Sequence, residues 1–278
     1  MNLLVAELWR CWSRRATKLL LLLATLAIAG VMVWLALRPQ YRTERYYEYT
    51  SSFEDSDANV VETRIDQRLD LVDDLSAAMA GTGTALMVLG VLLGSTLLGA
   101  EFGAGSLSTQ LTYEPRRIRM WVTKAAAAAL TTAAVCAALL LVMTAGMTVV
   151  AATRGITDGI DAEFVADRAL ELGRLATAGA LGALFGFAIT GIARKTVAAI
   201  VVFLVMSFIL EPVVTHNFGW AEARTPMDAL GTFAFDPFVR DDGTGAWNSL
   251  GQAALVACVW IFGLLMISGV QFRRRELR

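Results

Sequence analysis

Six ionisable side chains lie close together between two apolar stretches of this 278-residue chain. They are Glu101, Glu114, Arg116, Arg117, Arg119 and Lys124. The same segment has glycines at Gly103 and Gly105, which permit a tight reversal, a serine at Ser106 that can cap a helix, and a proline at Pro115. These charges prevent the segment from lying in lipid, and its glycines, serine and proline indicate more order than a plain polar linker has. The six ionisable side chains do not form a recognisable catalytic set.

The motifs that would support chemistry by this chain alone are absent from the sequence. There is no GxxxxGK[ST] phosphate loop, so ATP hydrolysis by this chain is not expected, and no His/Cys/Asp group has metal-ligand spacing. No acidic or basic residue occupies the middle of an apolar stretch, where ion-coupled carriers usually need one. We therefore expect no catalytic residue, no bound metal and no bound cofactor. The three cysteines, an odd number, are expected to be free thiols.

The elements that must position these charges are membrane-spanning helices. Hydrophobic residues make up 56% of the chain, mean hydropathy is +0.56, and the net charge of −1 gives no indication of nucleic-acid binding. A spanning helix needs about 20 mostly apolar residues. Six stretches qualify, at 19–37, 79–100, 120–152, 173–193, 196–214 and 250–271. The sequence predicts an all-α polytopic membrane protein that forms a single domain over residues 1–278.

Basic residues are concentrated on one side of this predicted topology. That side has 14 of the 24 basic residues and only four of the 25 acidic ones. The basic residues are Arg10, Arg14, Arg15, Lys18, Arg116, Arg117, Arg119, Lys124, Arg194, Lys195, Arg273, Arg274, Arg275 and Arg278. By the positive-inside rule, both termini and the 99–124 segment are expected in the cytoplasm. The outer segments are then 38–78, 153–172 and 215–249, and the apolar spacing from Val61 onward predicts a helix leading into the second span.

Residues 2–15 have the pattern of an interfacial helix. Leu4, Val5, Leu8, Trp9 and Trp12 fall on one arc, and Glu7, Arg10 and Arg14 fall on the opposite arc. An elbow helix that contacts membrane lipid and leads into the first span is therefore predicted. A frayed basic N-terminus is the alternative.

Small and hydroxyl residues inside the spans have two possible roles. The pairs Gly90/Gly94 and Gly182/Gly186 have GxxxG spacing, which allows close helix approach. We expect packing within the chain in preference to a seam between two copies. Hydroxyls that could line a substrate path are Ser95, Thr96, Thr131, Thr132 and Thr144. That signal is weak, because hydroxyls in membrane helices usually bond their own backbone.

The segment between the second and third spans predicts a short helix over residues 106–113. Ser106 is a natural N-cap, and Pro115 ends the helix. Leu107 and Leu111, four residues apart, would form one apolar stripe on a helix too short to be stable alone in water. We therefore expect this stripe to need a partner surface. The alternative is a membrane-surface helix with no partner.

The segment resembles the signature region of type-2 ATP-binding-cassette (ABC) exporter permeases, the six-span membrane subunits of bacterial exporters. The matching residues are Glu101, Phe102, Gly105, Ser106, Leu107, Leu111, Pro115, Arg117 (or Arg116) and Lys124. The elbow helix, the six spans and the basic C-terminus extend the resemblance over essentially the whole chain. One departure is Tyr113-Glu114, where small or apolar residues are expected before the proline.

The resemblance implies a permease subunit of an ABC exporter in the bacterial plasma membrane, working with a second permease copy, identical or paralogous. A separate ATPase subunit would bind ATP and Mg²⁺. Docking of that subunit is implied for Ser106, Leu107, Gln110, Leu111, Tyr113, Pro115, Arg116 and Arg117. A hinge role is implied for Glu101, Phe102, Gly103 and Gly105. The expected function is efflux of a hydrophobic drug, lipid or peptide; the alternative is a stand-alone membrane protein, either a secondary carrier or a regulatory or structural protein.

Overall fold

The computed structural model describes residues 3–37, 41–48, 59–66, 68–113, 116–218, 224–235 and 250–274. In chain order the helices are α1 (Leu3–Ser13), α2 (Arg15–Leu37), α3 (Leu71–Gly103), α4 (Ser106–Tyr113), α5 (Arg117–Arg154), α6 (Ala162–Ala193), α7 (Thr196–Val205), α8 (Glu211–Asn217), α9 (Pro226–Phe235) and α10 (Leu250–Arg274). A π-helix, Met206–Leu210, joins α7 to α8. Six helices are long and apolar enough to cross a bilayer, namely α2, α3, α5, α6, the continuous α7–α8 and α10. The chain is a multi-pass membrane protein, as predicted.

A β-hairpin follows the first span, where the sequence predicted a helix. Strands β1 (Tyr41–Glu48) and β2 (Asn59–Asp66) pair antiparallel, and α3 begins only at Leu71. The predicted helix from Val61 is therefore wrong over its first turns. Branching at Cβ restricts side-chain rotation in helices and favours strands. Strand β2 has four such residues, Val60, Val61, Thr63 and Ile65.

Two of the expected outer segments are more helical than predicted. The fourth span, α6, begins at Ala162 instead of 173, because the Asp161 side chain accepts a hydrogen bond from the Phe164 amide at 2.7 Å and caps the helix. The first turns of α6 are charged, so an apolar window does not detect them. Within 215–249, the short helix α9 packs against the bundle through four buried residues, Met227, Ala229, Leu230 and Ala234.

Helices α3 and α6 pack backbone to backbone through their glycines. A Cβ atom added at Gly94 would lie 1.9 Å from the carbonyl oxygen of Ala183. At Gly90 it would lie 2.2 Å from the Gly179 carbonyl oxygen, and at Gly186 it would lie 2.3 Å from that of Val91. The predicted packing of the GxxxG pairs within the chain is confirmed.

Replacing Gly94 by alanine is expected to destabilise the protein by about 1–3 kcal/mol, because the new methyl group collides with the Ala183 backbone. Thermal unfolding of the purified protein in detergent measures the change. Gly81→Ala is the matched control on the same helix, since nothing lies within 4 Å of its Cβ position. The control is expected to unfold at or above the wild-type temperature. Equal effects of the two substitutions would contradict the close approach of α3 and α6.

Candidate functional site

The turn between α3 and α4 is built on one glycine in a left-handed conformation. Gly105 has φ +65°, which few residues with a side chain adopt. The turn is closed by hydrogen bonds from the Ala104 amide to the Ala100 carbonyl at 3.0 Å and from the Gly105 amide to the Phe102 carbonyl at 3.3 Å. Gly103 instead ends α3 with open space around it. Only Gly105 of the two predicted glycines therefore has a conformational requirement for glycine.

Helix α4 covers Ser106–Tyr113, and the apolar side chain of α4 that the structure describes, Leu107, faces the protein's own interior. Leu107 is 2% exposed and packs in a cluster with Leu97, Leu98, Met120, Trp121 and other buried residues. The expectation that Leu107 belongs to an exposed stripe is therefore wrong. Because α4 is too short to be stable alone, the burial of Leu107 helps to stabilise it.

Among the α4 side chains that the structure describes, the exposed ones are polar. Thr109 and Thr112 are exposed, and Gln110 is half-buried, with no hydrogen bond to its buried Oε1 atom from the described residues. Ser106 is the first helical residue instead of the N-cap. Leu111 and Tyr113 lie on the α4 backbone, and Pro115 lies outside the described residues. Arg116 is exposed, and Arg117 is half-buried at the start of α5.

Beside α4, five charged residues, three of them buried, form an ion network that was not predicted from the sequence. The Glu101 carboxylate pairs with the Arg14 guanidinium through Oε1 and with the Lys124 ammonium, whose Nζ lies 2.8 Å from Oε2. The Oε2 contact is ionic, since it does not meet hydrogen-bond geometry. Lys124 Nζ also donates to both oxygens of Glu7, at 3.0 and 3.1 Å. Arg10 donates to Glu7 at 2.8 Å and completes the network.

Three members of the ion network, Glu7, Glu101 and Lys124, are at most 6% exposed. Removing such charges from water is costly unless each is paired, and here the lysine lies between the two carboxylates. Arg14 also donates to the Leu97 carbonyl at 2.6 Å. The ion network thereby ties α1 and the α1–α2 junction to the end of α3 and the start of α5.

The arrangement of α1 differs from a simple interfacial helix. Glu7 and Cys11 are buried against the spans, whereas Trp9 and Trp12 are exposed. The predicted polar arc of Glu7, Arg10 and Arg14 therefore faces the protein. A sequence signal existed for this result: Glu7 interrupts an apolar helix, and Lys124 precedes an alanine-rich run. A charge in such a position must find a partner.

Phe102, the second predicted hinge residue, links α3 to the α6–α7 turn. The guanidinium carbon of Arg194 lies 5.9 Å from the centre of the Phe102 ring, which is the geometry of a cation–π contact. Arg194 itself has φ +58° and caps the end of α6. The segment around Glu101 thus contacts the α1–α2 junction and α5 through charge and the α6–α7 turn through an aromatic ring.

The hydroxyl residues predicted to line a substrate path lie on α3 and α5. Ser95, Thr96 and Thr144 donate to carbonyls of their own helices, at 2.8–3.0 Å. Thr131 and Thr132 are buried inside the bundle. Their role in lining a substrate path stays a prediction.

Among the described residues, no group of three or more His, Cys, Asp or Glu side chains could hold a metal ion. Within the same residues Cys11, Cys136 and Cys258 are free thiols. No protein-family model matches the chain, and no curated protein is significantly similar to it.

Proposed function

We propose that this protein is the permease subunit of an ATP-driven exporter of the ABC type-2 kind, in a bacterial plasma membrane with both termini cytoplasmic. A separate ATPase subunit, which binds ATP and Mg²⁺, docks on the exposed side of α4. A second permease copy, identical or paralogous, completes the substrate path. The cargo is a hydrophobic drug, lipid or peptide.

The observation that supports this proposal is the attachment of α4 to two spans at once. Leu107 is buried in a cluster that includes residues of α3 and α5, and Glu101 and Lys124 join the same two helices through the ion network. A force applied to the exposed side of α4, around Thr109, therefore reaches the second and third spans together. Helix α1 must move with them, because Glu7 shares the ammonium of Lys124.

This attachment suits a lever driven from outside the membrane. The chain has no phosphate loop, so the free energy must come from a partner that binds the two conformations of the lever with different affinity. The unpaired Oε1 atom of Gln110 adds a specific feature, since a donor from a partner or water would satisfy it. Among the described residues, nothing else on α4 supplies that donor.

A cysteine at position 109 is expected to cross-link to the ATPase subunit in native membranes. The starting protein carries Cys258→Ser, because Cys258 is the exposed native thiol, whereas Cys11 and Cys136 are buried. Burial raises the pKa of the Cys11 thiol, which keeps it protonated and unreactive. Thr109→Cys is treated with a photoactivated thiol reagent, and the captured chain is identified by mass spectrometry.

The matched control is Thr153→Cys, an exposed threonine at the other end of α5. The expected result is a soluble chain with a phosphate loop captured from position 109 and absent from position 153. Capture of no such chain, although both cysteines are labelled, would overturn the exporter proposal and favour a stand-alone membrane protein.

A further inference from the structure

A cavity of about 690 Å³ opens between α8, α9 and α10, far from the ion network. Its volume is within the roughly 300–1,000 Å³ of small-molecule sites. The walls are mainly apolar, with Met206, Leu210 and Val259 among them. Val259 is 64% exposed on the lipid-facing side of α10, so the cavity is accessible from the bilayer.

The side chain of Glu211 lines the cavity. The side chain is 8% exposed, and its Oε1 accepts a hydrogen bond from the Met227 amide at 2.7 Å. The π-helix Met206–Leu210 lies directly before it. A π-helix inserts a residue into the α-helical repeat and turns the following side chains by about 100°, and such insertions are frequent at functional sites. Glu211 is in this way directed inward from an otherwise apolar span.

An indole ring at the rim adds a second feature that attracts positive charge. Trp260 lines the cavity, and its Nε1 donates to the Arg224 carbonyl at 2.8 Å, which fixes the ring. Aromatic faces and carboxylates both stabilise organic cations. Arg224 also lines the cavity, but its side chain is exposed and its field is screened more strongly than that of the buried Glu211.

We propose that this cavity binds lipophilic organic cations from the bilayer, with the apolar groups against the walls and the positive charge near Glu211 and Trp260. The inference concerns this chain alone and does not rest on the exporter proposal. The binding assay needs neither ATP nor an ATPase subunit, so its failure and the failure of the exporter proposal are distinguishable.

The test compares tetraphenylphosphonium with tetraphenylborate, which have nearly the same shape and apolar surface and opposite charge. Binding of each to the purified protein in detergent is measured by equilibrium dialysis. The quantity compared is the ratio of the two affinities, since partition into detergent is common to all variants. Glu211→Gln keeps the acceptor for the Met227 amide and removes the charge. In this variant the ratio of the phosphonium affinity to the borate affinity is expected to fall about tenfold.

A second pair of variants tests the location. Val259→Trp narrows the cavity mouth, and Val149→Trp changes an equally exposed valine, also at 64%, outside the lining of this cavity. Tetraphenylphosphonium binding is expected to be lost in Val259→Trp and kept in Val149→Trp. Three results would each overturn the proposal: stronger saturable binding of the borate by wild type, an unchanged ratio in Glu211→Gln, or equal binding by the two tryptophan variants.

Discussion

Lys124→Met is expected to lower the free energy of unfolding by about 3–5 kcal/mol, the usual effect of breaking a buried ion pair from one side. The substitution keeps the apolar stem of the side chain and removes the ammonium that lies between Glu7 and Glu101. Two buried carboxylates are then left without their shared cation. Thermal or denaturant unfolding in detergent measures the loss.

Two further variants separate the charge from the side-chain volume. Lys18→Met removes an exposed lysine on α2 and is expected to change stability little. The triple variant Glu7→Gln, Glu101→Gln, Lys124→Met replaces the buried ions by neutral groups and is expected to recover much of the loss. If Lys18→Met is as destabilising as Lys124→Met, the ion network has no special role in stability.

If the proposed ATPase subunit docks on α4, Thr109→Trp is expected to weaken its binding more than about tenfold and to abolish the stimulation of ATP hydrolysis by this chain. Thr109 is exposed on α4, so an indole there collides with a docked partner and leaves the interior of the chain unchanged. Reconstituted subunits in nanodiscs provide both measurements. Leu107→Asp is a poor alternative, because Leu107 is buried and the substitution would unfold α4 whether or not a partner exists.

Thr153→Trp provides the control, since Thr153 is exposed at the other end of α5. Normal insertion and a wild-type melting temperature of both variants show that the fold is kept. Full stimulation of ATP hydrolysis by Thr109→Trp would mean that the partner docks elsewhere or that no partner docks.

Apolar stretches were sufficient to predict the spans, because a bilayer fixes the length and composition of each helix. The bounds of α4 were also predictable, since Gly105 and Pro115 mark its two sides in the sequence. The hairpin was missed, because the apolar spacing of β2 up to Ile65 fits a helix and a strand equally well over a few residues. Its β-branched composition was the better signal.

The candidate site was less predictable than the fold. A hinge role was predicted for Glu101 from the resemblance to exporter permeases, but its partners Arg14 and Lys124 are 87 residues before it and 23 residues after it in the sequence. No local pattern indicates which of several cations meets which carboxylate. The sequence also did not determine which side of α4 faces inward. An apolar residue at position 107 fits both an interface with a partner and burial in the chain's own core.

The direct contact of α3 and α6 restricts which parts of the bundle can change position. Where the carbonyl oxygen of Ala183 occupies the place of a Cβ atom at Gly94, no flexible side chain separates the two helices. Sliding one helix past the other would bring backbone atoms into collision, so α3 and α6 behave as one rigid unit. The first span packs less closely, since far less of its most apolar window is buried than in α3 or α6. If the bundle opens, we therefore expect α3 and α6 to stay together and helices that pack less closely, such as α2, to move around them.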